Sequence, residues 1–135
     1  MLPLLRRAAD VAVNQGEEGR SFLLGAVAIR RDQAVVQSSN GIGYFPCKLA
    51  HAEARVLKKA GKNSIVYVAR VSRKDGSLVL ARPCESCQSM MIRSCVKKCY
   101  YTISDNEYGV MVFQNNNTFS ERIKNTSRQQ YAEAI

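Results

Sequence analysis

The sequence predicts an α/β protein with a mixed five-stranded sheet covered by helices. Three observations carry that prediction. The chain has 135 residues, enough for one domain with a real hydrophobic core. Its apolar residues switch between helical and strand periodicity. Helices alternate with strands in the middle of the chain, whereas short loops join strands near either end. A single domain is expected over residues 1–135, with a polar tail from about residue 114.

The first element is a helix from Leu2 to Val13, with Leu5, Ala8, Ala9, Ala12 and Val13 at helical spacing and Pro3 tolerated in the first turn. Phe22 to Ile29 is a nearly unbroken apolar run, as in a strand buried on both faces. Arg30 to Gln33 makes a turn, and Ala34 to Ser38 returns as a second strand. A loop opens at Asn40-Gly41-Ile42-Gly43 and runs through Pro46. A helix follows from about His51 to Ala60, stopped by Gly61. Ile65 to Val71 is β-branched and aromatic, hence a third strand. Ser72 to Arg82 is a connection in which Ser77 to Ala81 can form a short extra strand. Cys84 to about Lys97 reads as helix, Cys99 to Ile103 as a fourth strand, and Val110 to Phe113 as a fifth. Only Ser104 to Gly109 separate the last two, too few for a crossover, so strand five is expected antiparallel. The tail carries a weak helical pattern from Phe119.

Composition excludes some classes. The apolar fraction of 46% and charged fraction of 23% are those of an ordinary globular protein. No stretch approaches the roughly 20 apolar residues of a membrane span. The N-terminal apolar stretch is too short for a secretion signal, so a cytoplasmic location and no membrane partner are expected. Five cysteines cannot all pair within one chain, and in a reducing compartment they are metal ligands, core residues or catalytic thiols. The net charge of +9 has two readings: attraction to an anionic partner, nucleic acid or nucleotide phosphate, or a solvated surface. Lys58, Lys59, Lys62, Lys97 and Lys98 all fall near expected helix C-termini, where they complement the dipole.

Two short motifs carry the chemistry. Cys84 and Cys87 stand three residues apart at an expected helix start, so both sulfurs can reach one ion, and the helix N-terminus favours thiolates. Pro83 suits the approach to such a helix. His51, the chain's only histidine, supplies a third ligand. Three protein ligands leave one tetrahedral position open, the arrangement of a catalytic Zn2+ rather than a structural one. Glu53, two residues on from His51, is a candidate proton carrier and not a ligand. Cys47, four residues before His51, is the one rival ligand. Cys95 would lie roughly 16 Å along the helix from Cys84. Cys47, Cys95 and Cys99 are read as packing residues.

His51-Ala52-Glu53 followed by Pro83-Cys84-Glu85-Ser86-Cys87 resembles the signature of the zinc-dependent cytidine deaminase-like superfamily. The resemblance is strong over about residues 40 to 103. It implies a three-layer α/β/α sandwich with strand order 2-1-3-4-5. It further implies zinc on His51, Cys84 and Cys87, acid/base work by Glu53, and substrate contacts at Asn40, Ala52 and Pro83. The His-Ala-Glu form matches the tRNA and deoxycytidylate branches, whereas the antiparallel fifth strand matches cytidine deaminases and toxin- and phage-type deaminases. The chain therefore looks like a divergent or phage-associated branch. The implied reaction is hydroxide addition to the amine-bearing carbon with release of ammonia. The first expectation for substrate is cytosine in a free (deoxy)cytidine nucleoside or nucleotide. The second is cytosine, or less readily adenine, in single-stranded DNA or RNA. For the second, Tyr44, Phe45 and Tyr108 are candidate stacking residues, against ordinary rim packing. A non-catalytic zinc-binding protein is the third reading. Relatives often form homo-oligomers, and one is expected here.

Overall fold

The computed structural model describes residues 2–15, 22–39, 52–114 and 119–125. Among them are helices α1 (Pro3–Gln15), α2 (Ala52–Ala60) and α3 (Glu85–Arg93). The strands are β1 (Phe22–Ile29), β2 (Val35–Ser39), β3 (Ile65–Ser72), β4 (Leu78–Val79), β5 (Lys98–Thr102), β6 (Glu107–Phe113) and β7 (Phe119–Asn125). They form one mixed sheet in the order β2-β1-β3-β5-β6-β7, with β4 paired to β3. The expected order 2-1-3-4-5 therefore holds for the five strands read from the sequence, which are β2, β1, β3, β5 and β6.

Layering follows from alternation along the strands. In β1 and β3, Leu23, Val27, Ala69 and Val71 face α1 and pack on its Ala8, Ala9, Val11 and Ala12. Ala26, Ala28, Val66 and Val68 face the other way and pack under Val56, Leu57 and Ala60 of α2 and Met91 of α3. Both faces of the central strands are covered, which explains their unbroken apolar runs. The approach of α1 to the sheet is close at Gly25, where a Cβ would come within 2.7 Å of the Ala12 backbone nitrogen.

Three expectations are corrected. The sheet has seven strands rather than five. One addition is β4, shorter than the stretch Ser77 to Ala81. The other is β7, which replaces the helix expected from Phe119. It pairs along its whole length with β6, from Glu107 opposite Asn125 to Phe113 opposite Phe119. The third correction is the end of α3, which stops at Arg93 rather than about Lys97. Cys95 takes a left-handed φ of 56°, and its N–H bonds the Ile92 carbonyl at 3.1 Å, closing the last turn. Strand β6 is antiparallel to β5, as the short connection requires.

Candidate active site

The Pro83-Cys84-x-x-Cys87 half of the motif is the start of α3. Pro83 is buried, and its carbonyl accepts a bond from Gln88 Nε2 at 2.8 Å. Cys84 is the N-cap, extended at φ −67° and ψ 165°. Its carbonyl accepts the Gln88 N–H at 2.9 Å, the first bond of the helix. The Cys84 side chain makes no capping bond, so its sulfur is not engaged by its own helix. Cys84 is exposed and Cys87 is buried, and neither is in a disulfide. N-cap and third helical position are neighbours on the first turn, so the two sulfurs share one side of it.

The other half is the start of α2. Ala52 opens that helix and Glu53 is its second residue. His51, Asn40, Cys47, Tyr44 and Phe45 lie outside the described residues.

Connectivity puts the two helix starts at one end of the sheet. Helix α2 leads into β3 and α3 into β5, and β3 and β5 run parallel. The two connections are tied to each other: Asn63 N–H donates to the Cys95 carbonyl, and Lys97 N–H to the Ser64 carbonyl, each at 2.9 Å. The C-terminal ends of both helices are thus held at the amino ends of these strands. Their N-termini, with Glu53 on one and Cys84 and Cys87 on the other, lie towards the carboxyl ends. In open α/β sheets that is the end where ligands bind.

The donor set fits zinc. Two cysteines at positions i and i+3 of a helix start match the metal's preference for sulfur, and a helix N-terminus favours bound thiolate over thiol. Among the described residues no cluster holds three His, Cys, Asp or Glu side chains, so a metal held by these two cysteines would need a further ligand from elsewhere in the chain.

The segment bearing Cys84 is anchored by contacts that sequence reasoning missed. Ala81 N–H donates to the Thr102 carbonyl at 2.9 Å, at the carboxyl end of β5. The buried Thr102 hydroxyl donates to the Val79 carbonyl at 2.8 Å and accepts Arg70 N–H at 3.2 Å. Arg82, just before Pro83, grips Glu121 of β7 with two bonds, Nε to Oε2 at 3.0 Å and Nη2 to Oε1 at 3.2 Å. The Tyr101 hydroxyl donates to Glu121 Oε2 as well. Gly109 makes room for this, because a Cβ there would collide with the Tyr101 ring. Burial, then the bond to Glu121, pushes the Tyr101 hydroxyl above the ordinary tyrosine range. The Arg82 guanidinium, aided by Tyr101, holds the Glu121 carboxyl below its usual value, against a smaller opposing effect of burial. Arg82's position next to the Pro-Cys pair was the one available signal. Glu121 had none, since its segment read as a tail.

Two further readings are settled in part by position. Tyr108 is not an exposed loop residue. It is buried in β6, with its ring 6.3 Å from that of Tyr100, which in turn stacks on Tyr67 at 4.9 Å. Cys99 is buried as expected of a packing residue, but Cys95 is exposed beyond the end of α3. Several cations serve the fold. Arg7 bonds the Gln37 side chain, Lys59 the Gln37 carbonyl at 2.8 Å, and Arg30 the Lys59 carbonyl at 3.4 Å. Among the described residues no helix is long and apolar enough to cross a membrane.

A family model described as the cytidine and deoxycytidylate deaminase zinc-binding region matches residues 3–103. The chain belongs to that family. Its metal is therefore Zn2+, and the family is one of deaminases acting on cytosine-containing substrates. Among solved structures, the chain is similar to the cytidine deaminase from Mycobacterium tuberculosis, with a TM-score of 0.53 and 22% identity over 73% of this chain and 80% of that one. It is also similar to a glutamate-to-glutamine mutant of that enzyme, with a TM-score of 0.52 and 23% identity over 73% and 81% of the two chains. At this identity the likeness speaks for the fold. No curated protein sequence gives a significant match.

Proposed function

We propose that this chain is a hydrolytic deaminase that converts cytosine to uracil in a free (deoxy)cytidine nucleoside or nucleotide, with His51, Cys84 and Cys87 holding zinc and Glu53 moving protons. The observation that carries the reading is the placement of both helix starts at the carboxyl end of β3 and β5, with Cys84 and Cys87 on the first turn of α3. Zinc, when bound there, lowers the pKa of a coordinated water towards about 7 and so supplies the nucleophile. Glu53 carries one proton of the attacking water to the ring nitrogen, then carries the proton of the added hydroxyl to the departing amine as the carbonyl forms. A carbon–oxygen bond forms at the amine-bearing carbon, the carbon–nitrogen bond breaks, and ammonia leaves. Asn40 and Ala52 contact the substrate. Pro83, buried and bonded to Gln88, serves by fixing the turn that presents Cys84.

The test is an assay of the zinc-loaded chain on deoxycytidine, dCMP, CMP and a labelled single-stranded oligonucleotide, read as uracil formed and ammonia released. Turnover of a monomer supports the proposal. Turnover of the oligonucleotide alone, with binding that falls steeply as salt rises, would replace it with a nucleic-acid deaminase, the reading that the charge of +9 favours. Zinc binding without turnover on any cytosine or adenine substrate would leave a binding protein.

A further inference from the structure

We propose that Glu121 is a positioning residue for the cysteine half of the zinc site. It acts through Arg82, fixing the segment that delivers Cys84. The inference rests on the assignment of Cys84 and Cys87 as zinc ligands.

The geometry is a chain of fixed links. Tyr101 projects from the central strand β5 across β6, over the bare backbone of Gly109, and its hydroxyl donates to the Glu121 carboxylate. The same carboxylate receives both arms of the Arg82 guanidinium. A two-bond fork fixes the plane of the side chain as well as its distance. Arg82 is two residues from Cys84, and the intervening Pro83 is buried with a locked φ. On its other side, Ala81 is fixed to Thr102 of β5. Residues 81–83 are therefore held at three consecutive positions, with Cys84 next in line. Cys84 itself is exposed and its side chain makes no capping bond; its backbone is held from behind by residues 81–83 and from ahead by the Gln88 N–H on its carbonyl. The arrangement takes two special residues, a glycine in mid-strand and a carboxylate on an edge strand. A tail that merely closed the sheet would need neither.

The test uses the full-length chain and variants Glu121→Ala, Glu121→Gln, Arg82→Lys and Arg122→Ala. Arg122 neighbours Glu121 on β7 but points to the opposite face. Three quantities are read. They are zinc affinity by competition with a chromophoric chelator, the absorption bands of the cobalt(II)-substituted protein, and the melting temperature of the metal-free chain. Loss of a group bonded directly to a metal ligand typically weakens metal binding about 10- to 100-fold; Glu121 stands further from Cys84, and a loss at the lower end, about 10-fold, is expected for Glu121→Ala. Glu121→Gln and Arg82→Lys should weaken it less, with a shift of the cobalt bands in all three. Arg122→Ala should leave affinity and bands as in the parent. Should Glu121→Ala fail to fold, Glu121→Gln and Arg82→Lys carry the same comparison. A lowered melting temperature with zinc affinity and cobalt bands unchanged would overturn the proposal and leave the cluster a structural tie. A parent chain with no thiolate-to-cobalt band would remove the zinc assignment itself, and this inference with it.

Discussion

Residues 3–103, which match the family model, and the β6–β7 hairpin beyond them share one apolar core through Met111, Phe113 and Phe119, but the hairpin adds a polar tie of its own. The first region is a layered apolar core. Alanines and valines of β1 and β3 alternate between α1 on one face and α2 with α3 on the other. The hairpin is held at its outer edge by a polar cluster. There Tyr101, Glu121 and Arg82 join across β6, and Ile123 of β7 stays 64% exposed. The first kind of order is spread over many apolar contacts between elements far apart in sequence. The second hinges on a few groups, and it reaches directly to the segment carrying Cys84. Burial builds the platform, and the polar strap ties β7 to the segment before Cys84.

The largest effect should come from the site that both regions serve. Glu53→Ala should cut turnover by roughly 10²–10⁴-fold, the usual contribution of a positioned acid/base. Zinc content, measured on the same sample, should stay at the parent level. Cys87→Ser should lose both zinc and turnover. Near-normal ammonia release by Glu53→Ala would remove its assigned role.

Next come two glycines, one in each region. In Gly25→Ala the new methyl meets the backbone of α1 at Ala8 and Ala12, which cannot rotate aside. We expect a loss of about 3 kcal/mol or more, seen as a lower denaturation midpoint. In Gly109→Ala the nearest atoms met by the methyl belong to the Tyr101 ring, a buried side chain that must be displaced, rather than to backbone. The cost should be smaller, about 1–3 kcal/mol, from loss of the ring's packing and its bond to Glu121. Equal losses for the two substitutions would break the distinction between backbone-packed core and side-chain strap.

The same distinction explains what could be read from the sequence. Strands β1 and β3 were legible because burial on both faces leaves an unbroken apolar run, and α1 because its alanines recur at helical spacing. The cysteine pair stood out because its spacing is local, three residues apart at a helix start. Strand β7 was not. One of its faces carries Phe119, Glu121 and Ile123, so a carboxylate interrupts the apolar alternation. That carboxylate lies at an exposed position, and its partners stand 20 and 39 positions away in the chain, beyond the reach of any local pattern. The end of α3 was missed for a similar reason. A left-handed Cys95 has no strong local signature, and its carbonyl is used by Asn63 of a different connection.

The smallest expected effect concerns pH, and it isolates the charge on Glu121 from its shape. The carboxyl's folded pKa lies below its ordinary value of 4.5, chiefly because of the Arg82 fork. A carboxyl lowered in the folded state binds fewer protons there than in the unfolded chain, so it adds stability wherever it is ionised in both. That contribution is complete above about pH 4.5 and declines as pH falls through the lower folded value. Glu121→Gln keeps the size and an acceptor for Tyr101 but removes the charge. The parent should therefore melt a few degrees above this variant at pH 7, and the gap should narrow from about pH 4.5 downwards. A gap that persisted unchanged to pH 3 would mean that the carboxylate's hydrogen-bonding shape, not its charge, ties β7 to the Cys84 segment.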